Sequence, residues 1–153
     1  MTDFVHLHVH SEYSALAGVS SVDALCRAAR TMGYESLALT DTNGLYGAID
    51  FIDAARRWGL RPIIGTQLVD GRRRALVLVK EAAGYSNLCR LLSARHEAAD
   101  FDFVREIALY RNGLIVASDD SEALRSWKKQ DRADLYVEMS PGNMETGWAL
   151  SRA

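Results

Sequence analysis

The first pattern along the chain has a period of two. Between residues 4 and 10, Val5, Leu7 and Val9 alternate with His6, His8 and His10. Successive side chains of a strand point to opposite faces, so this spacing predicts a first strand with three imidazoles on one face. A loop of small residues ends at Ser20-Ser21, where a serine can cap a helix carrying Asp23 in its first turn. The period then becomes helical: Val22, Leu25, Cys26, Ala29 and Met32 form one apolar stripe, and Gly33 supplies a left-handed stop. Residues 36–40 predict a second strand, 41–44 a polar turn, and 46–58 an amphipathic helix closed by Gly59. Third and fourth strands are predicted over 62–69 and 75–79, joined by a turn over 70–74, and 84–96 predicts a helix with Leu88, Leu91 and Leu92 inward. No element is predicted over 100–112. Residues 114–117, 121–130 and 135–139 then predict a strand, a helix and a strand.

Repeated β-α-β alternation of this size implies an α/β fold with right-handed crossovers, mainly parallel strands, and chemistry at the strands' C-terminal ends. His8 and His10 end the first predicted strand, Asp41 follows the second, and Gln67 lies toward the end of the third. With 153 residues, 48% of them hydrophobic and 25% charged, the chain can bury a substantial core, and a single domain is expected. The formal charge of −2 excludes a global basic field, so direct DNA contact is not supported by this chain alone. The dense basic run Arg72-Arg73-Arg74 is expected at the solvated tip of a turn. No apolar stretch has the length of a membrane span and the N-terminus lacks a basic-then-apolar signal, so no membrane partner and a cytoplasmic location are expected. Cys26 and Cys89, far apart and without partners at metal spacing, are expected as reduced thiols in the core. Trp58, Trp127 and Trp148 are expected to pack rather than stack on bases, since none is interleaved with a basic stripe. The Gly44 and Gly47 loop lacks the spacing of a phosphate cradle.

The candidate chemistry lies in the imidazoles. Neutral imidazole is a common metal ligand, and two of them at i and i+2 near a strand end can grip one ion from a rigid base. The same spacing also suits a half-buried edge strand with its histidines toward solvent. His6 is expected to be an ordinary surface histidine, His96 a cation at a helix C-terminus, and Asp41 either a third ligand or a cap or turn residue before Gly44.

Several motifs together resemble a known family. His8-x-His10-x-x-x-Ser14, then Ala38-Leu39-Thr40-Asp41 with Gly44 and Gly47, then Arg61-Pro62-Ile63-Ile64-Gly65 are similar to the first motifs of the PHP (polymerase and histidinol phosphatase) domain. Leu76-Val77-Leu78-Val79-Lys80, the run from Gly84 to Ser93, Gly113-Leu114-Ile115-Val116 and Leu135-Tyr136-Val137-Glu138 most resemble the N-terminal PHP domain of bacterial DNA polymerase III alpha subunits. The resemblance implies a distorted, TIM-like β/α barrel, a cluster of metal ions and phosphoester hydrolysis. It also implies, as partners, the remainder of a polymerase alpha subunit or a proofreading protein of the replisome.

The ligand positions are less faithful than the scaffold. Where family members have Asp-His this chain has Asp41-Thr42, and where they have a glutamate it has Gln67. A hydroxyl and a neutral amide are poor substitutes for imidazole nitrogen and anionic oxygen. The family's further histidine falls near Ala75, its cysteine near Ala117-Ser118-Asp119, and its final Asp-x-His has no counterpart before Ala153. The resemblance therefore implies a metal site reduced to His8, His10 and Asp41, with Thr42 and Gln67 as degenerate ligand positions, holding at most one zinc or manganese ion weakly. A full β/α barrel takes ~200 to 250 residues. A chain of 153 is thus expected to stop before the last strands or to close with a partner, associating through its 135–153 end as a homo-oligomer. Three functions are expected in that order: a degenerate scaffold of a replicative polymerase subunit, a metal-dependent phosphoesterase or 3′-5′ exonuclease, or a free-standing binding module.

Overall fold

The computed structural model describes residues 4–98 and 100–139, so the part of the expected 135–153 association surface beyond residue 139 and the packing of Trp148 lie outside the described residues. The chain divides into two compact units, 1–67 and 68–153.

In the first unit, α1 (Val22–Thr31) begins at Ser21, whose side chain accepts a hydrogen bond from the backbone N–H of Ala24. It ends before Gly33, at φ 85°. β1 (Ser36–Leu39) is buried throughout. α2 (Ala48–Trp58) stops at Gly59 in the left-handed conformation. The following strand, β2 (Arg61–Asp70), runs parallel to β1 with Ser36 opposite Arg61 and Leu39 opposite Ile64. α1 packs on α2, and Val22, Cys26, Leu37, Phe51 and Ala55 meet in one apolar core, as the helical stripe predicts. Trp58 is half-buried against that core, with its indole N–H donated to Asp23.

The predicted first strand is the main correction. Residues 4–10 carry no strand, although the segment runs beside β1. The N–H of Ala38 donates to His6 O and that of Thr40 to Val9 O. The step of two residues from Ala38 to Thr40, just past β1, thus meets a step of three from His6 to Val9, an extra residue of the kind that makes a bulge. The Thr40 hydroxyl also enters the pairing, accepting from Val9 N–H at 2.9 Å and donating to Val9 O at 3.1 Å. A side chain thereby takes over bonds that a continuous ladder would make.

In the second unit, β3 (Arg73–Val79) pairs antiparallel with β4 (Leu114–Ser118), Ala75 opposite Ser118 and Val79 opposite Leu114. β5 (Leu135–Val137) pairs parallel with β4, Val116 opposite Leu135. The expected parallel pairing holds for β1–β2 and β4–β5, and the antiparallel β3–β4 pair departs from it. α3 (Ala82–Glu97) covers β3 and β4. His96 is exposed in its last turn, as expected.

The stretch without a sequence prediction contains α4 (Phe103–Tyr110), capped by the Asp102 side chain, which accepts from Arg105 N–H. Its Phe103 and Ile107 are buried, and α4 packs between α3 and α5 (Ser121–Gln130). Trp127 is fully buried and donates its indole N–H to Val104 O at 2.8 Å. Arg73 and Arg74 belong to β3 rather than to a solvated turn tip. Arg74 pairs with Asp119 at 2.6 Å, and Arg73 pairs with Asp120 and Glu122. Cys26 is fully buried and Cys89 half-buried, both as free thiols. Among the described residues no helix is long and apolar enough to cross a membrane.

Candidate functional site

Asp41 lies just beyond the end of β1, after Thr40, and its carboxylate is buried, with the residue 2% exposed. Burying a carboxylate costs several kcal/mol unless donors replace its water. Three do so here. Oδ1 accepts from Ser11 N–H at 2.7 Å and from the Ser14 hydroxyl at 2.6 Å, and Oδ2 accepts from the Ser11 hydroxyl at 2.7 Å. Asp41 therefore fastens the 11–14 turn to the end of β1. It does not cap α2, whose N-cap is Gly47. The turn is held tightly as well at Gly18, where a Cβ would lie 1.9 Å from Ser11 O.

The histidines separate into two groups. His6 Nε2 lies 3.1 Å from the Tyr34 hydroxyl, in an edge-on aromatic cluster with Phe4 and Tyr34. His8 and His10 converge, their Nε2 atoms 3.2 Å apart. The extra residue between the bonds at His6 and Val9 breaks the strict alternation, which accounts for His6 turning away from the other two. On its other side, His10 Nδ1 meets the Ser14 hydroxyl at 3.0 Å. Burial and then the neighbouring His8 hold the His10 imidazole below its ordinary pKa of 6.5, against a smaller upward pull from Asp41.

Thr42 and Gln67 lie side by side in an isolated parallel bridge. Gln67 O accepts from Asn43 N–H, and the Thr66 hydroxyl donates to Asp41 O at 2.7 Å, so the 41–44 turn is fixed by a backbone bond and a side-chain hydroxyl. His8, His10, Asp41, Thr42 and Gln67, all singled out by the sequence, fall within one unit. Ser11 escapes sequence reasoning altogether, because nothing in the pattern announces that a serine just after the histidines will meet an aspartate thirty positions on.

The geometry can be tested against a metal ion. Two nitrogens ligating one tetrahedral zinc at ~2.0–2.1 Å stand about 3.3 Å apart, close to the separation of the two Nε2 atoms. The imidazole pair therefore fits one ion. Among the described residues no group of three or more histidine, cysteine, aspartate or glutamate side chains is arranged to hold a metal.

A family model of the PHP domain matches residues 6–139. The chain belongs to the PHP domain family. It is 40% identical over 131 residues to the DNA polymerase III subunit alpha of Buchnera aphidicola subsp. Schizaphis graminum, covering 77% of this chain and 11% of that protein. It is 44% identical over 120 residues to the Bacillus subtilis protein of the same name, covering 73% of this chain and 11% of the relative. An error-prone DNA polymerase of Symbiobacterium thermophilum is 44% identical over 94 residues, covering 61% of this chain and 9% of its own. The PHP chain thus spans about a tenth of the length of these relatives. Among solved structures, a crystal structure assigned as a metal-dependent phosphoesterase from Bifidobacterium adolescentis superposes with a TM-score of 0.63 at 13% identity, covering 97% of this chain and 82% of that one. That likeness establishes the distorted, TIM-like β/α fold class and nothing finer.

Proposed function

We propose that this PHP domain is a scaffold within a polymerase subunit of the DNA polymerase III alpha type, keeping a remnant metal site without hydrolytic turnover. The observation that carries this reading is the chemistry around the paired imidazoles. His8 and His10 supply two neutral nitrogens, Asp41 spends its carboxylate on three internal donors, and Thr42 and Gln67 bring no charge. A bound ion of this family supplies Lewis acidity and an activated water for phosphoester cleavage. Two imidazoles can hold one such ion, but they bring no negative charge to balance a cluster. The relatives' names support the remainder of a longer polymerase subunit as the partner, and a proofreading protein is the finer partner this reading adds. Exposed apolar side chains such as Leu16 and Val19 support a role in contact with other protein surfaces.

Calorimetry with zinc or manganese tests the site directly. The expected result is one ion per chain at micromolar or weaker affinity, lost in the His8→Ala, His10→Ala double variant. Hydrolysis of p-nitrophenyl phosphate and of single-stranded DNA should stay at background with either metal, and should remain there in Thr42→His with Gln67→Glu. Two or more tightly retained ions, or wild-type turnover abolished by His10→Ala, would overturn the reading.

A further inference from the structure

The Ser14 hydroxyl has three polar neighbours and a single proton. Asp41 Oδ1 lies at 2.6 Å, the backbone N–H of Thr42 at 3.0 Å, and His10 Nδ1 at 3.0 Å. An ionised carboxylate only accepts, and a backbone N–H only donates. The hydroxyl proton therefore goes to Asp41, one oxygen lone pair takes Thr42 N–H, and the position facing His10 can only be an acceptor. The Asp41 carboxylate cannot turn to relieve this arrangement, because Ser11 holds Oδ1 through its N–H and Oδ2 through its hydroxyl.

We infer that Ser14 and Asp41 are positioning residues that fix neutral His10 as its Nδ1–H tautomer, leaving the Nε2 lone pair directed at the position it shares with His8. The consequence is an asymmetry between two imidazoles that look equivalent in the sequence. His10 is held by its far nitrogen in the form a metal ion requires, with Asp41 acting on it through a serine. With no ion bound, His8 Nε2 faces that lone pair at 3.2 Å and must itself carry the proton between the two rings. His8 must then move a proton before it can ligate, and His10 need not. This role for Ser14 and Asp41 rests on the proposed metal site for its use, but the tautomer itself belongs to the metal-free protein.

The two parts separate in experiment. Long-range proton–nitrogen correlation spectra of the metal-free chain, at a mildly basic pH where imidazole is neutral, report which ring nitrogen carries the proton, with signals assigned through His8→Gln and His10→Gln. The wild-type protein is expected to show His10 as Nδ1–H. A dominant Nε2–H form in the wild type overturns the inference, without recourse to any variant. Ser14→Ala should release the constraint and move His10 toward the Nε2–H form. Asp41→Asn should leave His10 as Nδ1–H, because Ser11 N–H requires an acceptor at the Oδ1 position and the amide oxygen placed there still takes the Ser14 proton. A folded Ser14→Ala protein that leaves the tautomer unchanged, or an Asp41→Asn protein that moves it, would overturn the role. Zinc titration of the same proteins adds the second arm: Ser14→Ala should weaken binding by about 10- to 100-fold. If the wild type binds no zinc, the metal reading fails while the tautomer result still decides the positioning role.

Discussion

Asp41 carries a charge where the chain leaves 2% of the residue to solvent, and three donors make that burial tolerable. Its removal strands Ser11 N–H and two hydroxyls, so Asp41→Ala should cost roughly 3 kcal/mol or more in urea unfolding, whereas His6→Ala, at an exposed position, should cost less than about 1 kcal/mol. A loss at Asp41 as small as that at His6 would show that the 11–14 turn does not depend on it. Cys26 illustrates the opposite economy, since burial, reinforced by Asp23, raises its thiol from 9.0 to about 11. The unfolded thiol loses its proton first, so the stability Cys26 contributes is complete below pH 9.0 and disappears as pH rises through about 11. The difference in unfolding midpoint between wild type and Cys26→Ala should shrink across that window, and iodoacetamide should label Cys89 before Cys26 in the folded chain. At this scale the pairing of His8 with His10 was legible, because residues two apart in an extended segment share a face. The burial of Asp41 was not, because it depends on a contact across thirty positions that no local period encodes.

Elements were legible where a single face meets a single core. α1, α2, α3 and α5 lie within about two residues of their predicted bounds because their apolar stripes are clear, and in α1 and α2 the terminal serine and glycines agree with those stripes. α4 escaped because its buried face is only Phe103 and Ile107, one turn apart, too short a stripe to stand out from its neighbours. The predicted first strand failed for a different reason: side-chain alternation reports facing, and it cannot report that Thr40 intercepts the backbone pairing. The turn into β4 gives a sharp test of packing between elements. Gly113 sits at φ 75°, and a Cβ on Gly84 in α3 would fall 1.9 Å from Gly113 O. Gly84→Ala gains helix propensity, yet the backbone contact should dominate, giving a net loss of about 1–3 kcal/mol by urea or thermal unfolding. A stabilised Gly84→Ala protein would mean that the start of α3 shifts away from this turn without cost.

On the scale of the whole molecule, family membership was legible because motif order survives where individual ligands do not. The two compact units were not legible, since β2 runs through the boundary between them without any linker signal. The surfaces of each unit bear on how the chain behaves alone. Among the described residues β5 pairs only with β4, and Tyr136 within it and Met139 just after it are 57% and 52% exposed. Leu16 and Val19 stand almost fully exposed in the first unit, with Leu16 in a left-handed backbone conformation that a branched side chain rarely adopts. A strand edge and large exposed apolar side chains favour association, and the relatives, about nine times longer than the matched region, have further chain with which to cover such surfaces. The isolated chain should therefore associate reversibly at micromolar concentration, seen by equilibrium sedimentation as a mass that rises with loading. Tyr136→Lys, which places a charge beside the β5 edge, should lower that mass toward the monomer while leaving the unfolding midpoint nearly unchanged. A strictly monomeric wild type, or a Tyr136→Lys protein that associates as before, would show that this edge is not where copies of the chain meet.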